Sequence, residues 1–366
     1  MMSKTGHLYY KTDKNVFDAL HNRKIGKTVI IEQLKDRGIL ISDEDEKDNI
    51  MEYASPLFTN YYDQVFLLDT LNSSSSKKTY SNVELSTKMK SLDMQKIMEG
   101  VKSDRENNET ESVNLTKNND GSFVITSTYT EADLSKNVMS QSLTKTTEVR
   151  VWEDESGCVQ VRGVSDKKGL QIINAIENEI KVKDQNMEKY VIEFSTIVDH
   201  MFRNEFFRKL INSIDGFDAF DVKSVSTSTG NSPETEDDGT MLPYVNKLIL
   251  NGSSVINSKQ FTDLYNSGFY ISKIEWTAIE KAHNGDKIDF TAEFKDSINC
   301  TGFTYTPLRL YKSKDNGDFN VSSSKLSNIA ETALLSLIEQ SARSAHKEVI
   351  EMYNDSKSKE SGNEKL

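Results

Sequence analysis

Glu293-Phe294-Lys295, with Asp286 and Asp289 just upstream, comes nearest in this sequence to a reaction centre. In that order an Asp and a Glu could hold a divalent ion while the Lys steadies an attacking water, which is the chemistry of metal-assisted hydrolysis. The stretch also alternates Ile288, Phe290, Ala292 and Phe294 with its polar residues, so Asp289, Glu293 and Lys295 read first as the outward face of a hairpin strand. The acids also lie too close together in sequence for ligands carried on two separate strands. A second group is Arg162, Lys167 and Lys168 in "VRGVSDKKGLQ". Lysines at a helix start oppose the macrodipole unless an anion lies between them. With Arg162 at a strand end and Ser165 as the cap, these residues outline an anion-binding corner. Arg343 and His346, one helical turn apart with Glu348 close by, read as a solvated face.

Other chemistries lack their residues. The five histidines (His7, His21, His200, His283, His346) stand singly, without zinc spacing. The two cysteines, Cys158 and Cys300, are far apart and cannot form a disulfide framework. No GxGxxG, GxxxxGKS, GxSxG or HExxH occurs. The sequence therefore points to no metal, no cofactor and no catalytic set, and the expectation is a non-enzymatic protein.

The remaining candidate is "TVIIEQLKDRGILISDEDEKDNIMEYAS", residues 28–55. Val29, Ile30 and Leu34 have helical spacing, Gly38 breaks it, and Ser42 with Asp45 three residues on opens a second helix. This stretch resembles a helix-extension-helix element of the SAP type. The resemblance implies that basic residues and helix N-termini meet a DNA backbone, a role that falls here on Lys27, Lys35 and Arg37, and the basic balance of residues 1–40 adds Lys24 to them. Asp43-Glu44-Asp45-Glu46 departs from that pattern by placing four carboxylates where phosphates would approach.

The whole-chain balance sets limits on this reading. A net charge of −12 argues against coating nucleic acid through bulk electrostatics, yet residues 1–40 are rich in lysine and arginine. No run approaches the ~20 apolar residues that span a bilayer. The polar start "MMSKTGHLYYKTDKN" lacks an apolar signal region, so a cytoplasmic protein without membrane contact is expected.

The elements that would position these residues fall into an α+β pattern. Residues 1–105 read as a helical N-terminal region, with "NSSSSKKTYSN" a loop, a helix near Val83–Val101 and a polar linker over 102–114. Residues 115–225 and 243–353 read as two antiparallel-sheet modules, each backed by helices, with 226–242 the linker between them. Their hairpin turns fall at Ser156-Gly157 and Asn284-Gly285, and 354–366 forms a disordered tail. Phe206 and Phe207 are adjacent on a helix and cannot both face one way, so one of them is expected at an interface with another domain or chain.

Three functions compete on these grounds. The leading one is a nucleic-acid-associated adaptor or sensor, with membership of a bacterial antiviral defence system attached to the architecture rather than to any residue. The alternatives are an assembly subunit or homo-oligomer using Phe206 and Phe207, and a divergent metal-dependent nuclease using Asp289, Glu293 and Lys295.

Overall fold

The computed structural model describes residues 12–58, 60–72, 77–87, 91–106, 111–135, 139, 141–229, 247–314 and 316–363. Its elements begin with α1 (Asp13–Leu20), α2 (Lys27–Lys35), α3 (Lys47–Ala54), α4 (Tyr61–Asn72), β1 (Tyr80–Ser86) and α5 (Ser91–Glu106). Next come β2 (Glu111–Lys117), β3 (Phe123–Ala132), β4 (Ser142–Glu153), β5 (Val159–Val164), α6 (Lys167–Lys183), β6 (Glu188–Tyr190) and α7 (His200–Asn212). The chain closes with β7 (Phe217–Ser228), β8 (Lys247–Asn251), α8 (Lys259–Asn266), β9 (Tyr270–Glu280), β10 (Lys287–Asp296), β11 (Thr301–Tyr311) and α9 (Asn328–Asn363). The protein is of mixed α+β class.

The chain divides into two units that interleave along the sequence. The first comprises Met1–Lys77, Met89–Arg150 and Asn174–Lys183, and the second Lys78–Lys88, Val151–Ile173 and Asp184–Leu366. In the first unit, α1 to α4 bury Leu20, Ile30, Leu34, Ile50, Phe58, Leu67 and Leu71 against one another. Thr12 and Asn15 cap α1 reciprocally. Gly38, at φ +77, ends the turn after α2 in the left-handed region, and the Ile39 amide returns to the Leu34 carbonyl at 3.0 Å. The same unit pairs β2 with β3 in an antiparallel hairpin.

The second unit contains an antiparallel sheet in the order β5-β1-β11-β10-β9-β7-β8, with β6 added to β1. Helices α7 and α9 share its core, where Phe194, Phe206, Phe207, Trp276, Phe290 and Tyr305 are buried beside Leu335, Ile338 and Val349. Burial of each such side chain is worth roughly 1.5–3 kcal/mol. Bulges in β7 leave Phe220 and Lys223 without a partner residue on β9.

Several boundaries differ from the expectation drawn from sequence. The stretch expected as helix over Val83–Val101 divides into strand β1 and helix α5. α5 and β2 occupy much of the expected linker over 102–114, and α9 runs on through Asn363 where a tail was expected. Ser42 accepts from the Glu44 amide in a turn, whereas α3 opens later on Glu46. Strands from both expected sheet modules, β5 and β7 from one and β9 to β11 from the other, pair within the second unit's sheet. Of the expected linker over 226–242, residues 226–228 close β7 and 230–242 lie outside the described residues.

Candidate functional site

α2 starts on Gly26 with no side chain capping its first amides and no acid in its first turn. Lys27 occupies that turn, and its Nζ donates to the Asp43 carbonyl. Lys24, just before it, is exposed and donates to the Leu71 carbonyl at 2.5 Å. Lys35 is exposed in the last turn. The three lysines therefore lie on α2 or next to its start, and Lys24 and Lys27 each donate to a backbone carbonyl.

Arg37, expected beside the lysines, is held differently. It pairs with Asp63, donates to the Leu57 carbonyl at 2.7 Å and lies 4.9 Å over the Phe58 ring. Asp63 is itself buried and exchanges capping hydrogen bonds with Asn60 at the start of α4. Arg37 thus clamps the α2 exit to α4. The acidic run 43–46 is exposed and precedes α3, where its carboxylates complement the helix N-terminus, and its first residue, Asp43, also lies against Lys27 in the first turn of α2.

In the second unit, a polar seam runs between α9 and strands β1, β5, β6 and β11. Arg162 on β5 donates twice to the Glu339 carboxylate on α9, at 2.5 and 2.7 Å, and once to Ser336 at 2.8 Å. The Tyr305 hydroxyl also donates to Glu339, and the Arg162 guanidinium lies 4.8 Å over the Trp152 ring. Burial, with the Glu339 charge adding to it, holds the Tyr305 phenol well above its ordinary value. One turn further along α9, Arg343 donates to Asn82 at 3.1 Å and Gln160 at 2.9 Å, beside Glu84 at 3.7 Å. Gln160 in turn donates to Glu84 and Asp154.

His346 closes the seam. Its Nε2 meets the Glu193 carbonyl at 2.9 Å and its Nδ1 meets the Tyr190 hydroxyl at 2.7 Å. A carbonyl only accepts, so Nε2 carries the proton and Nδ1 accepts from the phenol. Burial holds the imidazole below its ordinary value and pushes Tyr190 up to about 12.

This arrangement corrects two expectations from sequence. Half-buried Arg343 and buried His346 form a polar stripe of α9 turned toward the sheet rather than a solvated face. Arg162 belongs to the seam and not to an anion corner: the anion at the start of α6 is Asp166, whose carboxylate accepts from the Gly169 amide at 2.6 Å. It takes the capping place expected for Ser165 and offsets Lys167, which is exposed, and Lys168, which is half-buried.

Phe206 and Phe207 are both fully buried, with ring centroids 5.1 Å apart and each packed on Phe294. α7 is covered on two sides, by the sheet and by α9, so two residues about 100° apart around the helix both reach apolar surroundings. The interface expectation for this pair is thereby corrected.

Asp289 is buried rather than outward-facing. Lys223 donates to it at 2.6 Å and Thr277 at 2.8 Å, with Tyr311 at 3.2 Å and Arg309 at 3.4 Å. Glu293 pairs with Lys273 at 2.9 Å across the β9–β10 ladder, and Lys295 is exposed. Among the described residues, no three His, Cys, Asp or Glu side chains converge as a metal-binding group, and no helix is long and apolar enough to cross a membrane.

No protein-family model matches the chain, and no curated protein does. Among solved structures, the di-domain aromatase/cyclase StfQ of the steffimycin biosynthetic pathway aligns with 76% of this chain and 100% of its own. Its TM-score is 0.17 and its identity 10%, a superposition that carries no argument about fold or activity.

Proposed function

We propose that this protein is a non-enzymatic, nucleic-acid-associated adaptor that meets a phosphate backbone at the start of α2. The supporting observation is the asymmetry between successive helix N-termini. Neither helix has a side-chain cap, but α3 carries Asp48 in its first turn and carboxylates before it, whereas α2 opens on Gly26 with Lys27 in its first turn and Lys24 beside it. Unsatisfied amides, the positive end of the helix dipole and two ammonium groups together form a phosphate seat. Backbone contacts of this kind position a protein on nucleic acid without reading sequence.

The test is an electrophoretic shift of labelled duplex and single-stranded probes by the full chain across a salt series. Binding should be steeply salt-dependent. The slope of log K against log salt should fall by about 0.9 for each duplex phosphate that a variant no longer neutralises. Lys24→Glu, Lys27→Glu and Lys35→Glu together should abolish the shift with an unchanged circular dichroism spectrum. Arg37 stays unaltered in that variant because it clamps the helices. No shift at low salt, or a shift indifferent to the triple substitution, overturns the proposal.

A further inference from the structure

The second unit contains a cleft of about 230 Å³ where α7 ends, between the first residues of β7 and the turn at 254–257. Ile211, Ala219, Val222 and Ile256 give it apolar walls, and Arg208 and Asp221 place one charge of each sign in its lining. A cavity of roughly 150 Å³ takes up a benzene ring, so this volume accepts one phenyl side chain.

Phe220 stands at the same place. The first bulge of β7 leaves it without a partner on β9, and its side chain is 61% exposed while bordering the cleft. Bulges of this kind re-aim a side chain. Single exposed apolar residues are ordinary on a protein surface, but this ring is continuous with an apolar lining. The charges beside it are open to further partners. Arg208 is largely exposed, and Glu205, one turn earlier on α7, reaches it only at 3.9 Å. Asp221 accepts from the Ser254 amide at 2.6 Å, a bond that engages one of its two carboxylate oxygens.

We propose that this face pairs with the same face of a second copy of the chain, each copy's Phe220 entering the other's cleft. A projecting ring beside a cavity of matching size is self-complementary under a two-fold axis, because residue i then meets j and j meets i. The same symmetry brings Arg208 of each copy to Asp221 of the other. The two opposite charges, which together select no small ion, thus become two complementary pairs across the interface. An aromatic side chain filling a pocket with arginine beside it is the composition of a protein–protein hot spot. This inference is independent of the nucleic-acid reading, because the residues involved lie outside α1 to α4.

The test is sedimentation velocity of the full chain over a concentration series at physiological ionic strength. There a Debye length of about 8 Å screens the repulsion between two chains of net charge −12. A concentration-dependent dimer is expected. Phe220→Ala, at an exposed position, should raise its dissociation constant about thirtyfold, the loss of one aromatic anchor, with an unchanged circular dichroism spectrum. Arg208→Asp and Asp221→Arg, each keeping the wild-type spectrum, should be monomeric alone, because like charges then face each other twice. Mixed in equal amounts they should form a heterodimer, in which one pair is native and the other has its signs exchanged. A wild type that stays monomeric overturns the proposal and leaves the cleft to a small molecule or a different protein. A dimer indifferent to Phe220→Ala, or charge variants that do not associate when mixed, overturns it as well.

Discussion

A single protonation state links His346 to the stability of the fold. The ring accepts from Tyr190 and donates to the Glu193 carbonyl; burial opposes an imidazolium most, the Glu193 hydrogen bond and charge favour it, and the Lys347 charge opposes it. The folded state therefore holds this histidine below its unfolded value of 6.5, so the unfolded chain binds the extra proton first as pH falls. Stability is complete above that value and is lost as pH drops below it. Thermal melts of the wild type should fall between pH 7 and pH 5, and His346→Gln should flatten that dependence. An equal slope in both proteins would remove His346 as the cause. Asp154, Asp296 and Glu348, each held below the carboxylate range, titrate under this window.

At the scale of elements, the seam sets how α9 lies on the sheet. A slide of one helical turn would unpair Glu339 and Arg343 together. Buried charges specify register more than they add stability. Arg162→Met alone should therefore cost roughly 3–5 kcal/mol in urea unfolding, because Glu339 is left buried without its partner. Arg162→Met with Glu339→Leu should recover most of that loss, and two additive penalties would contradict the argument. Turns are more legible in the sequence than this seam. Asn284-Gly285 reads as the β9–β10 turn because its geometry admits few residues: Asn284 has φ +57, and a Cβ at Gly285 would stand 2.0 Å from the Glu280 carbonyl. β1 is not legible, because Tyr80, Asn82 and Glu84 turn polar groups toward α9 and remove the apolar alternation by which strands are recognised.

For the whole molecule, units that interleave in sequence imply folding that is not modular along the chain. β7 takes its ladders from β9 and β8, and β5, beside β4, pairs on its other edge with β1, so residues 115–225 carry strands with partners on either side of that range. Expressed alone, a 115–225 fragment should show no cooperative melting transition, while the full chain should. A sharp two-state transition in the fragment would restore the reading of two consecutive modules. The distribution of charge matters at this scale as well. A net −12 protein repels phosphate at long range, so any nucleic-acid contact must be local, short-ranged and strongly salt-dependent.

The amino-acid sequence alone determined the α+β class, the main hairpins and the amphipathic stripes of α6, α7 and α9, because these depend on local periodicity and turn stereochemistry. Tertiary structure decided which polar residues are interior. Arg162, Asp289, Glu339, Arg343 and His346 look like surface residues in sequence, since burial of a charge depends on a partner brought from another element. It also decided which strands are neighbours, since a ladder between β1 and β11 joins residues more than two hundred positions apart. Local sequence does not encode that pairing; it follows from burying one shared apolar face.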